Sequence, residues 1–183
     1  MHELLDKYLC QKYPKIFSER NKSEMESCMH WGIAVGHGWF YLIDTLCEKI
    51  QHHIDNPPWV LKKDGSGNYE EPKEPTVKQV VALQVKEKFS GLRFYYSGGD
   101  EYIHGLVDIT EELSYRICEK CGKMNNEVGR NSKEWIVTTC KEHANDPKDF
   151  HVSDNKELTK IWKKVQEDEE KERQKKLNEA YTT

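Results

Sequence analysis

Cys118, Cys121, Cys140 and His143 stand in the order C-x2-C-x18-C-x2-H, and no other feature constrains the folding of this chain as tightly. Two ligands separated by two residues grip one ion from a single tight turn. Gly122, directly after the first pair, supplies the backbone freedom such a knuckle needs. A second pair on a separate element closes a tetrahedron, so the 118–143 segment has to fold back on itself. The free energy of binding the ion then becomes folding free energy. Three thiolates and one imidazole suit zinc best, and four protein ligands leave no open coordination position. The expected ion is therefore a structural zinc. The other cysteines, Cys10, Cys28 and Cys47, lack this spacing and read as buried or half-buried thiols.

The second constraint is "KEKFSGLRFYYSGG", residues 86–99. A two-residue turn at Ser90-Gly91 sets Phe89 opposite Leu92, Lys88 opposite Arg93, Lys86 opposite Tyr95 and Val85 opposite Tyr96. Period-two geometry then gives a core face of Val85, Phe89, Leu92, Phe94 and Tyr96. Lys86, Lys88, Arg93 and Tyr95 share the other face. Like charges directly opposite each other cost about 0.2–1 kcal/mol, and Glu87 points to the wrong face to offset them. The chain carries a net charge of −4, so any attraction for anions has to be local. Arginine offers phosphate a planar fork and tyrosine offers a base a ring, which makes Lys86, Lys88, Arg93 and Tyr95 the candidate ligand-binding set. The bland alternative is a solvated strand face.

Elsewhere the periodicities are mostly helical. Leu4, Leu5, Tyr8 and Leu9 fall on one face of a helix that Pro14 stops. Two glycines bracket His37, and Phe40, Ile43, Leu46, Cys47 and Ile50 follow as the apolar stripe of a second helix ending at "DNPPWV". Trp31 and Trp39 read as ordinary core. Residues 62–76 form a polar Gly/Pro loop, and 77–89 reads as a β-branched strand. Gly98-Gly99 before a helix could cradle phosphate, but the Asp100 carboxylate would take the same positive pole and favours an N-cap. That helix carries Ile103, Leu106, Val107, Leu113 and Ile117, and "WIVTT" reads as a short strand. Leu158, Ile161, Trp162 and Val165 make a final stripe before "EDEEKERQKK", which suggests a helix docked at its start and solvated beyond.

The expected fold is thus α+β: helices packed on a small antiparallel hairpin or sheet, with a zinc knuckle and a charged C-terminal helix. The expected organisation is one zinc-stabilised domain over residues 1–150 and a charged helical tail over 151–183. The N-terminal residues show neither a basic leader with a long apolar run nor a small-residue cleavage motif. Together with six cysteines, this leads to an expectation of a reducing, cytoplasmic location without membrane insertion.

The ordered set "CMHWGIAVGHGWFYLI", "VKEKFSGLRFYY" and "CEKCG…WIVTTCKEH" resembles a family of small phage and prophage proteins. That family pairs a GxGWF segment, a KEKFGGLRFY-like hairpin and a C-x2-C…C-x2-H knuckle. The likeness covers roughly residues 28–143; Ser90 replaces the first turn glycine, and His37 stands where an aspartate is expected. The resemblance implies expression in a bacterial cytoplasm and supplies no activity. An enzyme would have to recruit His30, His37 and Asp44, and no nucleophile motif, phosphate loop or open metal site accompanies them. The expected function is non-catalytic: a binding protein that sequesters a small anionic, nucleotide-like ligand, such as a signalling nucleotide of bacterial immunity. The alternative is a zinc-stabilised module that binds nucleic acid or a host protein, with homo-oligomerisation left open.

Overall fold

The computed structural model describes residues 1–181 other than Pro58, Glu71, 73–75, Asn126, Glu134 and 153–155, and within the last helix it leaves out the side chains of 156, 158, 159, 180 and 181. Helices and small antiparallel sheets alternate along the chain, so the expected α+β class holds. The elements are α1 (Glu3–Lys12), α2 (Phe40–Asp55), β1 (Val60–Leu61), β2 (Tyr69–Glu70), β3 (Val81–Lys88), β4 (Gly91–Ser97), α3 (Glu101–Ser114), β5 (Val128–Asn131), β6 (Thr138–Cys140), β7 (Phe150–Val152) and α4 (Lys156–Tyr181). No described helix is long and apolar enough to cross a membrane.

One core joins α1, α2, the β3–β4 hairpin and α3. Its fully buried side chains include Leu9, Trp39, Ile43, Ile50, Leu92 and Ile103. The stripe on α2 faces inward as its period requires. The face of α1 is rotated from the expected one: Leu9 is buried, but Leu4 and Tyr8 are exposed. The cause is Asp6, which is drawn inside to accept from the Ile33 N–H at 2.8 Å and from Arg20 Nη2 at 3.0 Å. Trp39 is core, whereas Trp31 is exposed, because the short 3₁₀ turn over Cys28–Trp31 turns Met29 inward. Cys28 is likewise exposed, contrary to the expectation of at least partial burial.

The β3–β4 hairpin pairs Lys88 with Gly91, Glu87 with Leu92, Lys86 with Arg93, Val85 with Phe94 and Gln84 with Tyr95. The turn is therefore Phe89-Ser90, one residue earlier than the expected Ser90-Gly91. Both residues take positive φ, 53° and 67°, which for non-glycine residues needs support from outside the turn. Glu87 accepts from the Ser90 N–H at 2.6 Å, and the Ser90 carbonyl accepts from Thr138 Oγ1 at 2.7 Å. Moving the turn by one residue changes who faces whom but keeps the parity of every strand residue. Val85, Leu92 and Phe94 stay on the core face, and Lys86, Lys88, Arg93 and Tyr95 stay on the other. Phe89 leaves the core face and stands exposed at the tip, and the displaced turn together with a bulge after Ala82 sets Tyr96 opposite Ala82 rather than Val85.

Both edges of this two-stranded sheet are covered. Ala34 bridges β3 beside Lys86, donating to Val85 O at 2.9 Å. On the β4 side, Glu111 and Ser114 of α3 take the Phe94 and Leu92 N–H groups, each at 2.8 Å. Asp100 caps α3 by accepting from the Ile103 N–H at 3.1 Å, so the N-cap reading of Gly98-Gly99-Asp100 is the observed one.

Two further sheets lie outside the sequence reading. β1 and β2 pair across the polar loop. β5, β6 and β7 form an antiparallel sheet in the order β6-β5-β7, of which only β6 overlaps the expected strand. β7 straddles the division expected at residue 150. On α4, Ile161, Trp162 and Val165 are all exposed, so these three residues of the stripe expected to dock the helix are not buried; the side chain of Leu158, the fourth, lies outside the described residues.

Candidate functional site

Cys118 and Cys121 lie just beyond α3, Cys140 ends β6, and His143 closes the 3₁₀ turn after it. Their ligand atoms all fall within 4.8 Å of one another. Cys121 Sγ is 3.9 Å from Cys140 Sγ, and His143 Nδ1 is 3.8 Å from Cys118 Sγ and 3.2 Å from Cys140 Sγ. A tetrahedral ion with metal–sulfur bonds of about 2.3 Å needs ligand–ligand edges of about 3.8 Å, so four deprotonated donors at these positions fit one metal ion. Cys118 and Cys140 are buried, while Cys121 and His143 face solvent.

The knuckle is held from three sides. Gly122, at φ 77°, turns back so that its N–H donates to Cys118 O at 2.8 Å. The Gly36-His37-Gly38 segment lies directly on it. Gly38 N–H donates to Glu119 O at 2.8 Å and Gly36 N–H to Glu119 Oε1 at 2.7 Å, and a Cβ on Gly38 would strike the Cys118 carbonyl. Trp39 Nε1 donates to Ile117 O at 2.9 Å, and Glu119 N–H donates to Thr138 O at 3.0 Å. The glycines around His37 thus serve close approach to the knuckle.

Burial opposes ionisation of Cys118, but backbone N–H groups at Cys140, Cys121 and Lys120 prevail and bring the thiol down to about 7. Burial and the neighbouring thiols raise Cys121 to about 11. The fold thus prepares Cys118 for ionisation, whereas Cys121 needs the ion itself. Burial also raises Cys10, to about 11, and keeps Cys47 protonated, which suits inert core thiols.

The polar face of the hairpin brings Lys86, Lys88, Arg93 and Tyr95 together. Lys86 Nζ lies 5.6 Å over the Tyr95 ring and Lys88 Nζ 5.3 Å over the Phe89 ring. Among the described residues, no carboxylate pairs with either lysine. Arg93 differs. Its Nη1 donates to Leu92 O at 2.6 Å and stands 3.5 Å from Glu111 Oε2, and its Nη2 donates to Tyr115 Oη at 2.8 Å. The expected free fork is therefore partly engaged within the protein.

Tyr115 and Arg130 join this face without any warning in the sequence. A Cβ on Gly91 would come within 2.6 Å of Tyr115 Oη and 2.7 Å of its Cε1, so the ring occupies the space left by the missing side chain. Arg93 and Arg130 both lie over that ring, with guanidinium carbons 5.8 Å and 5.4 Å from its centroid. Of the residues weighed for acid–base chemistry, Asp44 and His30 are engaged structurally, and His37 is exposed. Asp44 accepts from Lys12 Nζ at 2.8 Å and Tyr13 Oη at 2.9 Å, and His30 Nδ1 sits 2.8 Å from Lys22 O. No family model, no curated protein and no solved structure matches the chain.

Proposed function

We propose that the protein is a zinc-stabilised, non-catalytic binding module whose hairpin face takes a small anionic, nucleotide-like ligand. Zinc is the ion that best suits three thiolates and an imidazole at tetrahedral spacing, and four protein ligands leave it no catalytic position. The observation that carries the ligand reading is the pair Lys86 and Lys88 beside the exposed ring of Tyr95, with no carboxylate partner for either among the described residues. Arg93 adds the donors it does not already use. The likeness to small phage proteins makes a signalling nucleotide of bacterial immunity the first class to try, with sequestration as the role.

Calorimetric titration with a panel of linear and cyclic nucleotides tests the reading. Lys86→Ala and Lys88→Ala should each weaken binding while leaving the melting temperature unchanged. If no panel member binds the wild-type chain, the cationic face is only a solvated surface. A second reading, contact with a protein, is favoured by the exposed Ile161, Trp162 and Val165 on α4. Co-purification of a stoichiometric protein partner that is lost on Trp162→Glu would support it.

A further inference from the structure

The anion-binding face does not end at the hairpin. We infer that Tyr115 carries it onto the metal-bearing sheet, where Arg130 is the guanidinium that meets the ligand's terminal phosphates. This rests on the reading of the hairpin face as a nucleotide site and names the class of nucleotide.

The geometry runs in three steps. Gly91 leaves a gap on the same face as Arg93, and Tyr115 fills it. Arg93 then fixes the ring with its Nη2 hydrogen bond and spends Nη1 on Leu92 O and Glu111, so it acts mainly as a positioning residue. Arg130 comes from β5 and lies over the same ring. It is exposed, and no carboxylate pairs with it among the described residues. The two guanidinium groups are therefore no further apart than the sum of their distances to one ring centroid. Among the described residues this pair of like charges, with Lys88 opposite Gly91 on the same hairpin face, has a single carboxylate, Glu111, within ion-pair distance. A phosphate group is the ligand chemistry that relieves this repulsion and uses Arg130's free fork.

The positions along the strand order the ligand. Tyr95, with Lys86 over its ring, is the place for a base, and it stands four residues from Gly91 on β4, about 13 Å at about 3.3 Å per residue. That span exceeds the reach of a nucleoside monophosphate and suits a nucleoside carrying two or more phosphates. The ligand is thus a nucleoside polyphosphate, with its base at Tyr95 and its phosphates at Lys88 and Arg130.

The metal enters this site indirectly. Val128 of β5 pairs with Cys140 and Arg130 pairs with Thr138, so the strand that presents Arg130 is built on the one that holds a metal ligand. Loss of the ion should therefore weaken ligand binding as Arg130→Ala does, and the two effects should not add.

The experiment is calorimetric titration of the full-length, metal-loaded chain with ATP, ADP, AMP, cyclic AMP and inorganic pyrophosphate. It is repeated on Arg130→Ala, on Arg130→Lys and on chelator-treated protein. Expected are tighter binding of ATP and ADP than of AMP or cyclic AMP, and a loss of about ten- to hundredfold in ATP affinity for Arg130→Ala with an unchanged melting temperature. Arg130→Lys should fall between. If the wild type binds ATP and Arg130→Ala binds it equally, this inference is overturned while the hairpin reading stands. If AMP binds as tightly as ATP, the polyphosphate assignment is overturned. If none of the five probes binds the wild type, both readings fall.

Discussion

Gly91→Ala isolates the contact on which the extended face depends. Gly91 has no positive φ, so alanine meets no backbone penalty there, and the three atoms nearest the new methyl all belong to Tyr115. The new methyl would lie 2.6 Å from Tyr115 Oη and 2.7 Å from Cε1, closer than carbon atoms tolerate, and the ring has to move. Moving it also stretches the 2.8 Å bond from Arg93 Nη2. Overpacking of this kind costs about 1–3 kcal/mol. Against it stands a gain of about 0.4–1 kcal/mol from the lower entropy of the unfolded chain. The net expectation is a loss of about 1–2 kcal/mol, a fall of roughly 2–8 °C in melting temperature for a chain of this size.

The decisive measurement is the same substitution in a Tyr115→Ala background. With the ring gone the methyl loses its nearest obstacle, so the sign should reverse to a gain of about 0.4–1 kcal/mol. Urea unfolding of the four proteins gives both differences. An equal loss in the two backgrounds would mean that something other than Tyr115 covers Gly91, and the placement of Arg130 over that ring would lose its basis.

Cys121→Ser should lose the metal, measured as about one ion per wild-type chain by elemental analysis, and should raise hydrogen exchange across 118–143 while α1 and α2 stay protected. Deleting residues 167–183 should leave the melting temperature nearly unchanged in calorimetry, because every described side chain in that stretch is exposed; a drop of many degrees would reveal a buried partner surface. The His53 hydrogen bond at 2.9 Å, followed by the Ile103 N–H, holds the Asp100 carboxyl below its ordinary value. A depressed carboxylate contributes stability that is complete above the ordinary aspartate value of about 3.9 and is lost as pH falls through the folded value, so Asp100→Asn should flatten stability against pH in that acid window.

The legible parts of this molecule are those whose causes are local. The C-x2-C and C-x2-H spacings each act within one turn, so the metal cluster could be read from residues that need only a knuckle to meet. The Asp100 cap is equally local, since its partner is three residues away. The hairpin faces survived an error in the turn because a one-residue displacement of a two-residue loop preserves parity. The turn itself was not legible. Phe89 and Ser90 hold positive φ because Thr138, 48 residues on, takes the Ser90 carbonyl, and Gly91 is reserved for Tyr115. β5 and β7 are three or four residues long and carry no alternation, so only their partners define them. The α4 stripe misled for the opposite reason: its periodicity is that of a docked helix, and period alone does not say whether the surface that covers it belongs to the same chain.

Two observations first read separately, the glycines around His37 and the cations of the hairpin, belong to one mechanical unit. Gly36 and Gly38 clamp Glu119 between the candidate metal ligands Cys118 and Cys121, and the Glu119 N–H holds Thr138 O. Thr138 Oγ1 holds the Ser90 carbonyl, and that turn sets which residues face each other on β3 and β4. Burial raises the Glu119 carboxyl, and the Gly36 N–H pulls it back, so the clamp supplies a donor that this carboxyl uses. A substitution at Gly38 should therefore be felt at the hairpin tip although the two are far apart in sequence. Gly38→Ala places a methyl against the Cys118 carbonyl, where no flexible side chain can yield, and backbone has to shift. If the chain from clamp to turn is continuous, that shift should perturb the Lys88, Phe89 and Ser90 amide resonances as well as those of the knuckle, and disturbance confined to 36–40 and 118–122 would show that the two ends are mechanically independent.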